Sequence, residues 1–310
     1  MQNFLKNKVP ILMGIAAALF FAVTFIVNRL MSLSGSNWIW SSSLRFFWML
    51  PILFIIVWLK GGLRILFREL SYNSWHWFVW STVGFGFFYA PLTFAAAYSP
   101  SWLLASTWQI TIIAGMIIAP LISHTPSGKR QNTLRSAFFS GIIILGIIIM
   151  QIGQARTLPL QELLKCIIPV TIAAFAYPIG NRKMMVISNG KLDVFQRVLG
   201  MVISSMPFWM VLSAYEFFSN HTVPGKAQLL QTFIVAIFSG ILATALFFAA
   251  TDKVRTNESR LAAVEATQAT EVIFAVIGEI FIMGANLPDL YGALGIFLVM
   301  IGMILHSLKG

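Results

Sequence analysis

Residues 9–31 read VPILMGIAAALFFAVTFIVNRLM, an uncharged run from Val9 to Val27 closed by Asn28-Arg29. A helix rises 1.5 Å per residue, so about 20 apolar residues cross the hydrocarbon core of a bilayer. Lys6 and Lys8 precede the run as they would in a signal peptide, but the apolar stretch is too long for a signal core. It is expected to remain as a first membrane helix. The same rule applied outward gives segments near 9–31, 38–59, 75–98, 101–123, 134–154, 163–187, 194–217, 228–251, 261–284 and 288–308. The third and fourth are parted only by Ser99 and Pro100, the ninth and tenth by a turn around Pro288.

Composition points the same way. Of the 310 residues, 58% are hydrophobic and 10% charged, against about 25% charged in a soluble domain. Lipid is the solvent that accepts so much apolar surface. The 21 Lys and Arg against 10 Asp and Glu would suit nucleic acid only if clustered on one face of a soluble domain. Here they sit in short groups between apolar runs, as in cytoplasmic membrane loops, so no nucleic-acid partner is expected. With ten spans and the N-terminus inside, Lys6, Lys8, Lys60, Arg64, Arg68, Lys129, Arg130, Arg135, Arg182, Lys183, Lys191, Lys253, Arg255, Arg260 and Lys309 fall on the cytoplasmic side. Only Arg156, Lys165 and Lys226 fall outside, while Arg29, Arg45 and Arg197 lie at helix ends or within helices. The expected placement is a multi-pass protein of the cell's inner membrane with both termini cytoplasmic.

An internal repeat fixes the expected architecture. Asn28-Arg29-Leu30-Met31, followed by Arg45, returns as Asn181-Arg182-Lys183-Met184, followed by Arg197. Gln109 and Thr111 return as Gln268 and Thr270, and Gly146 and Gly153 as Gly295 and Gly302. The halves, 1–160 and 161–310, carry five segments each, and an odd number makes the second copy cross the membrane in the opposite sense. The fold class expected is therefore an all-α integral membrane protein of ten transmembrane helices in two inverted five-helix repeats. That arrangement places a substrate site near the bilayer midplane and permits alternating access.

The last stretch, residues 261–302, reads LAAVEATQATEVIFAVIGEIFIMGANLPDLYGALGIFLVMIG. Its penultimate helix ending in Gly278-Glu279, short turn, and last helix bearing Gly292, Gly295 and Gly302 resemble the C-terminal part of a repeat in the drug/metabolite transporter superfamily. Length, ten spans and duplication agree across the chain. It looks most like the ten-helix, EamA-like multidrug-efflux branch, distant relatives of the four-helix small multidrug resistance proteins. The resemblance implies a secondary active exporter of small amphipathic or cationic compounds. Amino-acid or metabolite export on the same fold is the alternative. Two departures are plain: superfamily members commonly carry proline where this chain has Glu271, and the first helix lacks the glutamate of the small relatives. The drug–proton mechanism therefore does not carry over residue for residue.

The residues themselves supply the candidates. Glu265, Gln268, Glu271 and Glu279 fall within about 120° of arc on the ninth helix. Carboxylates at membrane depth normally face a cavity or a partner. Mid-span Glu271 is the expected proton carrier or cation counter-charge. Glu279 is read as tying two helix ends together, and Glu265 as solvated or paired with Arg260. Gln109, Thr111, Gln268 and Thr270 either bond helix to helix or line the midplane cavity. Arg45 and Arg197 are expected to snorkel to the interface, with a bond to an internal glutamate or an anionic substrate as the alternative. Asn28 and Asn181 are read as capping helix ends, with a gate as the alternative.

Trp108, Tyr89 and Tyr177 are candidate walls for a cation, and Trp75 and Trp77 candidate interfacial anchors. Pro178 with Gly180 is the hinge candidate. The glycine faces of the fifth and tenth helices read as close packing, internal or between protomers, leaving a monomer or a homodimer open. The single Cys166 cannot form an intrachain disulfide and reads as a packing residue. No glycine loop with a lysine suggests direct ATP drive, and His76, His124, His221 and His306 lack metal-ligand spacing, so no cofactor or metal is expected. A membrane enzyme would need a catalytic cluster at one face, whereas these acids are strung along one helix. The partners expected are a small-molecule substrate, protons and the lipid bilayer.

Overall fold

In lipid an apolar segment has only its own carbonyls to satisfy its N–H groups, so these runs coil into helices. The structure, a computed structural model, describes residues 2–122, 133–155, 159–254 and 256–309. His124, Lys129, Arg130, Arg156 and Arg255 lie outside the described residues. Among those described, every regular element is helical: α1 (Gln2–Leu33), α2 (Trp38–Leu59), α3 (Leu63–Tyr72), α4 (Ser74–Ala95), α5 (Ser101–Trp108), α6 (Ile110–Ile122), α7 (Thr133–Ala155), α8 (Leu160–Ser188), α9 (Val194–Asn220), α10 (Lys226–Val254), α11 (258–283) and α12 (Leu290–Lys309).

Among the described residues, seven helical stretches are long and apolar enough to cross a membrane: Val9–Leu33, Trp38–Leu59, Ser74–Ala95, Leu160–Ser188, Val194–Asn220, Lys226–Val254 and Ala263–Met283. The other three expected spans are helical but differ in kind. The fourth is divided at Gln109 into α5 and α6, of 8 and 13 residues. The fifth and tenth coincide with α7 and α12, whose apolar portions Gly141–Gly153 and Leu290–Leu305 are shorter.

Several helices depart from regular geometry. In α4 a π segment occupies Thr82–Gly86, and in α10 another occupies Ala236–Ala243. The path breaks at Gln109 between α5 and α6, and in α11 a 3₁₀ turn covers Thr267–Ala269, around Gln268. The two irregular points meet, because Gln109 Nε2 donates to the Gln268 carbonyl at 3.3 Å. Helices α1, α2, α8 and α9 contain Pro10, Pro51, Pro169, Pro178 and Pro207 without interruption.

Helices α2 and α9 run antiparallel through the centre, with Phe46 stacked on Trp209 at a centroid distance of 4.4 Å. At one end Asn37 caps α2 through Ile39 N and donates to Glu216 Oε1 at 2.8 Å. At the other, Gln196 completes the capping box of Asp193 and donates Nε2 to the Gly62 carbonyl at 2.9 Å. The glycine faces of α7 and α12 meet within the chain: a Cβ on Gly146 would lie 2.7 Å from the Gly295 carbonyl oxygen. Backbones of α4 and α8 also touch, at Gly84 and Gly180, so Gly180 is a packing position beside Pro178. Trp75 is exposed, as an anchor requires, but Trp77 is buried, with its ring beside Gly200. Position near a helix start fixed depth, not which face Trp77 presents.

Candidate functional site

Glu271 lies in the first turn of α11 beyond its 3₁₀ segment and is 1% exposed. Neither carboxylate oxygen has a hydrogen-bond partner. Both oxygens are therefore buried polar atoms at full desolvation cost unless a ligand, proton or charge reaches them. Glu271 lines a chamber of about 20 Å³ together with Arg45, Thr24, Phe88, Trp108, Tyr177, Ser239 and Gln268.

A second, larger cavity of about 190 Å³ adjoins it towards the Arg182 end of the bundle, between α6, α8, α10 and α11. Trp108, Tyr177 and Gln268 line both spaces. The rings of Phe88, Trp108 and Tyr177 pack mutually, with centroids 4.8 to 5.6 Å apart, and so form the wall between them. The Tyr177 hydroxyl, Gln268 Nε2 and both polar atoms of the Asn181 amide are buried without partners. Such a concentration of unmet hydrogen-bonding capacity around a cavity is what a polar ligand or water would satisfy.

The sequence candidates thus divide. Glu271, Gln268, Trp108 and Tyr177 come together, and Thr111, Asn181 and Pro178 line the larger cavity. Gln109 lies behind the wall, with Nε2 bonded to the carbonyls of Ala105 and Gln268. Tyr89 sits beneath Arg45, whose guanidinium carbon is 4.0 Å from the ring centroid. Thr270 bonds back to the Thr267 carbonyl at 2.7 Å. Glu279 Oε2 accepts from Trp102 N at 3.2 Å, at the start of α5.

Four side chains lie elsewhere than the sequence reading placed them. Arg45 and Arg197 do not snorkel; they are 3% and 5% exposed. Arg197 binds Asp252 through Nη1 and Nη2 at 3.2 and 3.3 Å, while Arg45 Nη1 donates to Thr24 Oγ1 at 3.4 Å. Thr24 is in turn bonded to Ser239. Asn28 and Asn181 cap no helix, being inside α1 and α8; Asn28 Nδ2 donates to the Tyr89 hydroxyl oxygen at 3.1 Å. Glu265 pairs with Arg182 at 3.1 Å. Asp252 and the Thr24–Ser239 pair were missed by sequence reasoning. Asp252 lies two residues before the end of α10, where an acid reads as a solvated helix end.

A bundle whose described elements are all helical, with several membrane-length apolar helices, a buried carboxylate and an adjoining cavity, defines a multi-pass membrane protein with an internal cavity. The chain belongs to the EmrE family, described as "Putative multidrug resistance efflux transporter", which it matches over residues 8–310. This agrees with the resemblance to the drug/metabolite transporter superfamily. It is 50% identical over 304 residues to "Uncharacterized protein YjlA" of Bacillus subtilis (strain 168), covering 96% of this chain and 94% of that protein. It is 44% identical over 264 residues to an "Uncharacterized 42.1 kDa protein in intracellular alkaline protease 3'region" of Shouchella clausii, covering 84% of this chain and 69% of that one. A solved structure described only as "Crystal structure of protein" shares the fold, with a TM-score of 0.65 at 12% identity over 96% of both chains.

Proposed function

We propose that the protein is a proton-coupled secondary exporter of small amphipathic or cationic compounds. In this reading it has ten spans in two inverted five-helix repeats, with both termini cytoplasmic in the cell membrane. The observation that carries it is the Glu271 carboxylate, buried and unpartnered in a chamber beside a cavity large enough for a small organic molecule. A carboxylate so placed exchanges a proton for a substrate, because each relieves the desolvation of the same oxygens. The inverted repeat is supported by the paired π segments in α4 and α10 and the paired breaks at Gln109 and Gln268. Discontinuous helices near a binding site are a recurring feature of secondary transporters.

An amino-acid or metabolite exporter on the same fold is the second reading, favoured by the positively charged Arg45 lining the Glu271 chamber. The test is proton release from purified protein on addition of lipophilic cations and amino acids, with Glu271→Gln in parallel. Release that disappears in Glu271→Gln is expected. Substrate binding with no proton release in either protein removes the proton-coupled mechanism.

A further inference from the structure

Arg45 and Glu271 share the small chamber, both nearly fully buried. Among the described residues, no ion pair within 4 Å joins them. An arginine guanidinium keeps its charge at any cellular pH. Arg45 therefore places a fixed positive charge in the chamber, with its guanidinium over the Tyr89 ring and near that of Phe46, Nη1 bonded to Thr24 and Nε unpartnered. Arg197, the recurrence of Arg45 in the second half of the sequence, shares the unpartnered Nε, but Asp252 accepts from both of its terminal nitrogens. Among the described residues, no carboxylate pairs with Arg45 within 4 Å.

We infer that Arg45 is a carboxylate-binding residue and that the substrate is a small zwitterion, its ammonium group directed to Glu271 and its carboxylate to Arg45. The inference rests on the exporter reading and chooses between its two kinds of cargo. A lone organic cation drawn to Glu271 meets Arg45 as a like charge in a dry space, whereas a zwitterion answers both charges at once. The planar fork of arginine matches a carboxylate with two parallel N–H donors. The apolar remainder of the substrate has the Phe247, Phe248 and Ile112 side of the cavity of about 190 Å³ beyond Trp108 and Tyr177, whose lining also includes the polar Asn181, Arg182 and Glu265. The ring wall must part to admit the charged head.

The test measures equilibrium binding to the full chain in lipid nanodiscs. Its probes are radiolabelled leucine, methionine and phenylalanine, the methyl ester of each, and tetraphenylphosphonium. At least one amino acid is expected to bind about 10-fold or more tightly than its ester, the effect of one charge-assisted hydrogen bond left unmade. Arg45→Gln is expected to remove that difference, and Arg45→Lys, which keeps the charge and loses the fork, to retain part of it. The comparison of acid with ester uses the unmodified chain and does not depend on how either variant folds. Equal binding of acid and ester overturns the inference, as does an equal loss for every probe in Arg45→Gln. If tetraphenylphosphonium alone binds and releases protons through Glu271, the inference falls and the exporter reading stands. If no probe gives Glu271-dependent proton release, the proton-coupled reading falls, and the inference falls with it unless an amino acid still binds more tightly than its ester.

Discussion

Asn28-Arg29 on α1 and Asn181-Arg182 on α8 are the same pair of residues recurring in the sequence, and their surroundings could hardly be less alike. Asn28 exchanges hydrogen bonds with the Tyr89 hydroxyl, and Arg29 Nη1 donates to the carbonyls of Ala96 and Ala97 at 3.3 and 3.0 Å. At the same end of the bundle, buried Glu216 accepts from Asn37, Thr222 and Asn220 at 2.8, 2.6 and 2.9 Å. Gln228 adds a bond to the Asn37 carbonyl at 2.8 Å. At the Arg182 end, by contrast, both polar atoms of Asn181 are unpartnered, and Arg182 meets Glu265 across a partly open cavity. Since the residues are identical, the difference belongs to the arrangement of the helices. One end is closed around buried Glu216 and its three donors; the other also has a buried tie, from Gln196 to the Gly62 carbonyl, but its Arg182–Glu265 pair is partly exposed.

The sharpest way to break this comparison is chemical access. On a Cys166→Ala background, Asn181→Cys is expected to react with a membrane-impermeant maleimide in detergent solution, and Asn28→Cys to resist it. Equal rates at the two positions would mean that the ends are not distinct. Next in size is Glu216→Ala, which leaves three donors without their acceptor at a buried site and is expected to cost about 3 kcal/mol. Thermal unfolding should show a lowered midpoint, and Asn28→Cys should begin to label in that background. An unchanged midpoint would remove Glu216 as the tie. The smallest effect is expected at the opposite end. Lys191, with a side chain 53% exposed, pairs with Glu69 at 3.2 Å, and such pairs contribute at most about 1 kcal/mol. Lys191→Ala should hardly move the midpoint or the labelling of Asn28→Cys; a loss as large as that of Glu216→Ala would contradict the contrast.

Much of this arrangement was legible in the sequence, because hydropathy and helical period report depth and face. The apolar runs mark the helices, and the polar arc on α11 places Glu271 and Gln268 towards the interior, where the chamber lies. The recurrence of Gln109 and Gln268 marks two positions that meet in space. Pairings between distant segments were not legible. Tyr89 lies 61 residues from Asn28, and Asp252 lies 55 from Arg197; no period in one chain links such positions. Arg45 and Arg197 were misread for a related reason. A long basic side chain some way inside a helix can reach for the interface or turn inward, and only the neighbouring helices decide. Arg182 taking Glu265 is likewise a matter of which helices touch. The π segments leave no local mark, since Thr82–Gly86 and Ala236–Ala243 are as apolar as the regular helix around them.

Those π segments set the aim of everything beyond them. A π turn closes its hydrogen bonds one residue later than an α turn, so each inserts an offset near 100° into the helix that follows. In α4 that offset comes just before Tyr89, and in α10 just before Phe247, Phe248 and Asp252. Deleting one residue within Ala236–Ala243 would straighten the helix and preserve its composition. It would also swing Asp252 away from Arg197 and re-point the cavity wall. At these two places the length of the chain, rather than the identity of any side chain, sets where Tyr89, Asp252 and the cavity wall point.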